Sequence, residues 1–387
     1  VDGGATTEWN LGLWSDTTGY PAAVSFYEDR LFFAGSAADT QRFDGSRSGD
    51  YTNFQINDPD GLVTSSHSLS FTLNASDVNA IRWMVDDEKG LIIGTEGKPW
   101  LVRPSANSEA LSPTNIVAKP LRAVGCSNVP PVKAEGVALY VQRLARKLRE
   151  LKYVFEVDGF RAPDVTVLAS HITQSGVVRM ALQTETVPVV WALLANGTLI
   201  GATYDPDQKV MGWHRHVIGG YSDSGQTISA VVESIATLPS VDGTTDELWL
   251  LVRRYINGAT RRTIERMAPF FEETTAQVDA HFVDSGFVYS GGAASTMTGL
   301  YPLEGQTVTI LADGATHPDR TVTNGKITLD RTVTKAQIGF KYISRLKTLV
   351  FDKGSQSGTS LGKIQRFSEV KIKLNRSLGL LAGPVFE

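Results

Sequence analysis

Glu247-Leu-Trp-Leu-Leu-Val-Arg-Arg-Tyr-Ile-Asn-Gly-Ala-Thr-Arg-Arg-Thr-Ile-Glu-Arg-Met267 is the stretch on which the reading of the chain turns. It predicts an apolar strand, a turn at Asn257-Gly258, and a second strand holding β-branched residues. Asn-Gly accepts the positive φ angles that a tight hairpin requires. Leu248 to Val252 does not alternate with polar residues, which predicts a strand covered on both faces.

The same plan occurs four more times. The first unit has Ala23–Tyr27, a Glu28-Asp29-Arg30 turn, Leu31–Ser36, Gln41–Arg47 and a short Tyr51–Phe54, with His67–Asn74 alternating at period two as an accessory strand. The second has Ala80–Val85, Leu91–Thr95 and Trp100–Val102. The third has Val137–Val141 and Leu148–Tyr153. The fourth has Val177–Leu182, Val189–Leu194, Thr198–Tyr204 and Met211–His216, and the fifth runs from Ile228 to Leu238 into the opening hairpin. Second strands begin near residues 31, 91, 137, 189 and 248, a spacing of roughly fifty residues, which is the period of propeller blades. A lone blade cannot bury both faces of its apolar strands, and stacking blades face to face does so. One segment competes with this plan. Leu144, Leu148 and Leu151 fall at helical spacing among Arg143, Arg146, Lys147 and Arg149. The match of Leu139–Arg143 to Leu250–Arg254 favours a hairpin, although Leu144–Lys147 lacks the glycine that a tight turn prefers.

Beyond Phe270 the composition changes. Residues 284–345 are rich in Gly and Thr, with candidate strands at Thr307–Leu311, Arg320–Thr323, Lys326–Leu329 and Ile338–Ile343 and a turn at Asn324-Gly325. The expected fold is all-β. Residues 1–283 carry a β-propeller of about five recognisable four-stranded blades, a set that need not be complete, and residues 284–345 are an inserted small β-barrel or sandwich. In residues 346–387, Ser355–Ser360 reads as a flexible loop and Ser368–Leu374 as a half-buried strand returning to the propeller.

The chain of 387 residues is 42% hydrophobic and 20% charged, with a net charge of -4, a pI of about 5.9 and a mean hydropathy of -0.09. No global basic field invites nucleic acid or an anionic membrane. Cys126 is the single cysteine, so no intrachain disulfide forms, which suits assembly in a reducing cytoplasm. No signal peptide pattern and no run of about eighteen apolar residues is present. The start at Val1 and the stop after Gly383-Pro-Val-Phe-Glu387 predict a piece or processed form of a longer protein.

Several segments together resemble one group of proteins: Phe26–Ser36, Gly45–Phe54, Asn79–Trp83, Leu91–Gly97, Leu111–Asn115, Tyr140–Arg143, Gly212–His216 and Asp246–Leu250. The chain resembles the tail nozzle (tail tubular protein B-type) component of short-tailed bacteriophages, or its prophage counterpart, over about residues 20 to 270. The resemblance implies a propeller protomer with accessory β-domains and a homo-oligomeric ring, typically a hexamer. The ring would lie below the tail adaptor, near tail fibre proteins and around the DNA exit channel, with genomic DNA passing through without specific binding. It places the protein in the virion tail, after synthesis in the bacterial host cytoplasm. It brings no catalytic, metal or cofactor residues. A propeller adhesin for host glycan, or a glycan hydrolase, is the alternative.

Candidate chemistry is sparse. His214 and His216 share a strand face and could ligate a metal, but no third ligand is evident, and a surface or interface pair is the simpler reading. Asp86-Asp87-Glu88 and Asp205-Pro-Asp207 lack the ligand spacing of a calcium loop and read as turns, as do Asp44-Gly45 and Asp158-Gly159. A glycosidase needs two carboxylates at a fixed separation; Glu150, Glu156, Glu185, Glu233 and Glu265 are available, and nothing singles out a pair. Cys126 has no identifiable histidine partner. The arginines of the two hairpins, Arg143, Arg146 and Arg149, then Arg253, Arg254, Arg261, Arg262 and Arg266, read as strand-edge and interface charges. DNA contact is disfavoured because each neutralised phosphate would slow passage through a conduit. No catalytic, cofactor or metal residue is assigned.

Overall fold

The computed structural model describes residues 13–75, 79–106, 109–348, 369–375, 377 and 380–383. The chain divides into two compact units, Val1–Pro269 and Phe270–Glu387.

The first unit is a succession of five antiparallel meanders, the blades of a β-propeller. Blade 1 comprises β1 (Ala23–Tyr27), β2 (Arg30–Ala34), β3 (Arg42–Gly45) and β4 (Leu69–Thr72). Blade 2 comprises β5 (Ile81–Asp87), β6 (Gly90–Thr95), β7 (Trp100–Arg103) and β8 (Val117–Pro120). Blade 3 holds β9 (Val132–Ala134), β10 (Val137–Val141), β11 (Leu148–Val154) and β12 (Gly159–Arg161); blade 4 holds β13 (Val177–Gln183), β14 (Val189–Leu194), β15 (Leu199–Asp205) and β16 (Val210–His216). Blade 5 has three strands among the described residues, β17 (Val231–Pro239), β18 (Asp246–Ile256) and β19 (Ala259–Arg266).

Four apolar cores lie between successive blades. Phe32 and Phe43 of blade 1 pack with Leu91 and Ile93 of blade 2. Ile92 and Trp83 on the other face of blade 2 meet Tyr140 and Leu151 of blade 3. Leu139 and Val141 meet Val190 and Ala192 of blade 4. Trp191 and Leu193 meet Leu248, Leu250 and Val252 of blade 5. The period-two geometry of a strand sends alternate residues into the two cores, so a second strand covered on both faces must be apolar throughout. β6 and β14 obey this, with every residue buried.

The hairpin at 246–266 departs from expectation. Its turn is as predicted, with Asn257 at φ 49° and Gly258 at φ 74°. Burial along β18, however, alternates from Leu248 onward: Leu248, Leu250 and Val252 are buried, while Trp249 and Leu251 are only partly covered. No sheet packs over that second face among the described residues, and none pairs with the outer edge of β19.

Blade 1 also differs. Its fourth strand is Leu69–Thr72, paired with β3 through Phe43↔Phe71, whereas residues 51–54 form a turn and loop. Tyr51 and Phe54 serve instead as aromatic contacts, Tyr51 with Phe26 and Phe54 with Trp14 and Phe33. Residues 142–147 form the expected turn of a hairpin, Val141 pairing with Leu148, and the missing glycine is replaced by Ala145 at φ 59°. Leu144, which suggested a helix, is 73% exposed at the tip.

In the second unit, β20 (Asp284–Thr298), β21 (Thr307–Ala312), β22 (Ala315–Thr321) and β23 (Lys326–Phe340) form one sheet in the order β20-β23-β21-β22. Register shifts in β20 coil the sheet around Leu303, Val308, Ile310, Ile327 and Ile338. The Asn324-Gly325 turn is held by Glu304, whose carboxylate accepts from both amides at 2.8 and 2.7 Å. The strand expected over 368–374 is not formed: residues 369–374 are unpaired and exposed. Residues 355–360 lie outside the described residues.

Candidate functional site

The turns that begin blades 1 and 2 converge on an open cavity of about 460 Å3, lined by Phe26 to Arg30, Tyr51, Asp86 to Glu88, and Lys133. The β1–β2 turn puts Glu28 and Asp29 at φ 43° and 58°, a left-handed pair that closes the hairpin without glycine. Tyr51 donates to Asp29 at 2.9 Å, and Phe26 lies edge-on to Tyr51 with centroids 5.2 Å apart. Lys133 of β9 donates to Asp86 at 2.7 Å, joining blade 3 to the blade 2 turn. Burial raises the Asp87 carboxyl, against the pull of the Lys89 amide and Lys133. Burial and the adjacent Glu28 carboxylate push the Tyr27 phenol up. The cavity is therefore acidic, with two exposed aromatic rings at its mouth.

Arg30 anchors this region. It is buried, and its guanidinium donates to the carbonyls of Ser46, Ser65 and His67 at 2.6 to 2.7 Å. Desolvation by burial lowers its pKa. The sequence pattern places Arg30 in the turn. The signal was its register, since period two puts residue 30 on the buried side with Phe32 and Ala34.

A second open cavity, of about 760 Å3, is bordered by the first strands β9, β13 and β17. Its wall mixes Val178, Met180 and Leu182 with Arg179 and Lys133.

His214 and His216 do come together, as a hydrogen-bonded pair with 2.7 Å between Nδ1 of His214 and Nε2 of His216. Both rings stand edge-on to Trp191, whose indole donates to Gln183 at 2.9 Å. Desolvation lowers the His214 pKa and, with the neighbouring His214, takes His216 down to about 4. No group of three or more His, Cys, Asp or Glu side chains able to hold a metal occurs among the described residues.

The glycosidase candidates are distributed over three blades and their connections. Glu233 pairs with Arg253 and Arg262, Glu265 with Arg254, and Glu150 with Lys152. Asp205 accepts from the Gln208 amide and Asp158 from the Tyr153 hydroxyl, as turn residues do. Cys126 is buried in the core of blades 2 and 3, and burial pushes its thiol up. Gly125 precedes it because a Cβ there would lie 1.7 Å from the Glu96 carbonyl. Among the arginines, Arg254 corrects the strand-edge reading: it is 1% exposed, grips Glu265 with two nitrogens, and donates through Nε to Gly219 at 2.8 Å.

No family model and no curated protein matches the chain. Among solved structures, the β-propeller domain of Cps50 (Swd1) from Myceliophteria thermophila is 9% identical, with a TM-score of 0.34, covering 60% of this chain and 66% of that one. An auxiliary nutrient binding protein from Bacteroides thetaiotaomicron is 10% identical, TM-score 0.33, covering 84% and 70%. An exo-β-1,3-galactanase from Phanerochaete chrysosporium is 10% identical, TM-score 0.30, covering 83% and 92%. This chain is an all-β protein whose first unit is a β-propeller.

Proposed function

We propose that this chain is a structural protein of a short-tailed phage tail, a nozzle component acting as one protomer of a ring around the DNA path. The observation that carries the reading is the combined set of resembling segments from Phe26 to Leu250, spread over all five blades. The partly covered sheet face at Trp249 adds support, since an assembling protein needs apolar surface for its neighbours. Its work would be mechanical, and its acidic balance suits a conduit that DNA passes without sticking. The test is mass spectrometry and electron microscopy of purified virions. The protein is expected in the tail at several copies per particle, and its absence from tails overturns the reading.

A second reading, a glycan-binding propeller, is favoured by the cavity at Phe26, Tyr51, Glu28 and Asp87. Exposed aromatic faces flanked by carboxylates are what sugar rings stack on and hydrogen-bond to. Titration with host capsule or lipopolysaccharide fragments tests it. Binding lost in Tyr51→Ala and Asp87→Asn supports it, and no binding by the unaltered protein ends it.

A further inference from the structure

We propose that Thr64, His67 and Asp58, on the long loop between β3 and β4 of blade 1, form a nucleophile, base and carboxylate relay that cleaves carboxylic esters. This activity is independent of both readings of the chain's function.

The tautomer of His67 follows from its neighbours. The Thr64 amide donates to Nδ1 of His67 at 2.9 Å, and an N–H offers no lone pair, so Nδ1 carries no proton. The ring proton is therefore on Nε2, which donates to Oδ1 of Asp58 at 3.1 Å. The Thr64 hydroxyl lies 2.7 Å from the same Nδ1 and must be the donor there. With that proton committed, the Ser66 hydroxyl at 3.0 Å donates to Thr64 Oγ1. A hydroxyl set on the lone pair of an imidazole, whose other nitrogen is held by a carboxylate, is the arrangement that activates an alcohol for attack. The turn closed by the His67 amide on the Thr64 carbonyl would need only the contact from the Thr64 amide.

The base is held and the nucleophile is accessible. His67 is fully buried, whereas Thr64 is exposed. The buried Arg30 donates to the carbonyls of Ser65 and His67, which ties the segment carrying both reacting groups to the blade. The amides of Ser65 and Ser66 make no hydrogen bond among the described residues, and Ser65 directly follows the nucleophile, a place from which a backbone donor to an oxyanion comes. In the reaction, Oγ1 of Thr64 bonds to the acyl carbon as its proton passes to Nδ1 of His67. The tetrahedral adduct expels the alcohol, which takes that proton and leaves acyl-Thr64. Water then gives a proton to Nδ1 as its oxygen bonds to the acyl carbon. The bond to Oγ1 breaks, Oγ1 takes the proton back, and the carboxylic acid departs. Asp58 orients the ring and balances the imidazolium formed in each half.

The test is hydrolysis of p-nitrophenyl acetate by the full chain, with peptide mass spectrometry of the quenched protein and circular dichroism spectra to verify that each variant folds. The unaltered protein is expected to release nitrophenol and to carry acetyl on Thr64. Thr64→Ala, at an exposed position, should lower the rate at least about tenfold, and Thr64→Ser should retain it. Asp58 is a positioning residue that acts through His67. Asp58→Asn should lower kcat and also move the rising limb of the pH–rate profile to lower pH, because the carboxylate no longer favours the imidazolium. A residue that only ties the loop would leave that limb in place. Release no faster than in buffer, an unchanged rate in Thr64→Ala, acetyl on other side chains with Thr64 unmodified, or an unmoved limb in Asp58→Asn overturns the proposal.

Discussion

The imidazoles of His214 and His216 hydrogen-bond to each other at 2.7 Å while both stand edge-on to the buried Trp191. A mutual hydrogen bond of this kind needs at least one neutral ring as acceptor, and a second proton would put two like charges in contact. Because the folded pKa of His216 lies at about 4, below the unfolded value near 6.5, the unfolded state binds more protons between those pH values. Stability is thus fully present above about pH 6.5 and declines as pH falls through that window, by up to about 1.4 kcal/mol per pH unit for one such group. Urea midpoints measured from pH 7 to pH 4.5 should show this slope, and His216→Gln should flatten it.

Arg254 and Glu265 are a nearly buried ion pair inside blade 5. Breaking such a pair from one side leaves an uncompensated charge, so Glu265→Ala should cost roughly 3–5 kcal/mol. The double variant Arg254→Met with Glu265→Leu should recover much of that loss, because desolvation of both charges is then avoided. Chemical denaturation of the two variants separates these outcomes.

Trp191 and Trp249 have equivalent places in neighbouring blades and unequal burial. Trp191→Ala should cost about 3–5 kcal/mol, as removal of a buried aromatic side chain does. Trp249→Ala should cost less than about 2 kcal/mol, since its side chain is only partly buried. Equal losses in dilute monomer would show that Trp249 is already fully packed.

Ala145 closes the β10–β11 turn at φ 59°, where a Cβ is unfavourable and glycine is not. Ala145→Gly should raise stability by about 0.5–1 kcal/mol, the strain relieved exceeding the added entropy of the unfolded chain. A melting temperature that falls would count against the turn geometry.

The blades are legible in the order of the residues alone. Continuous apolar second strands, polar or Asn-Gly turns and a period near fifty residues are local signals, and β2, β6, β10, β14 and β18 start within two residues of the predicted positions. It also separated the Gly- and Thr-rich segment from the repeats, although the long strand β20 went unrecognised because Gly291-Gly292 within it reads as a turn.

What each strand faces is set by contacts that exist only in the folded chain. Leu248 to Val252 and Val189 to Leu194 look alike as sequences, yet one is covered on both sides and the other on one, because coverage depends on whether a further sheet follows in space. Leu69–Thr72 rather than Tyr51–Phe54 became the fourth strand of blade 1, since a ladder partner and not local propensity selects among short candidates. For the same reason Arg30 and Arg254, charged residues that composition assigns to the surface, proved to be interior: their partners lie 16 or more and 9 or more residues away and meet them only in the fold.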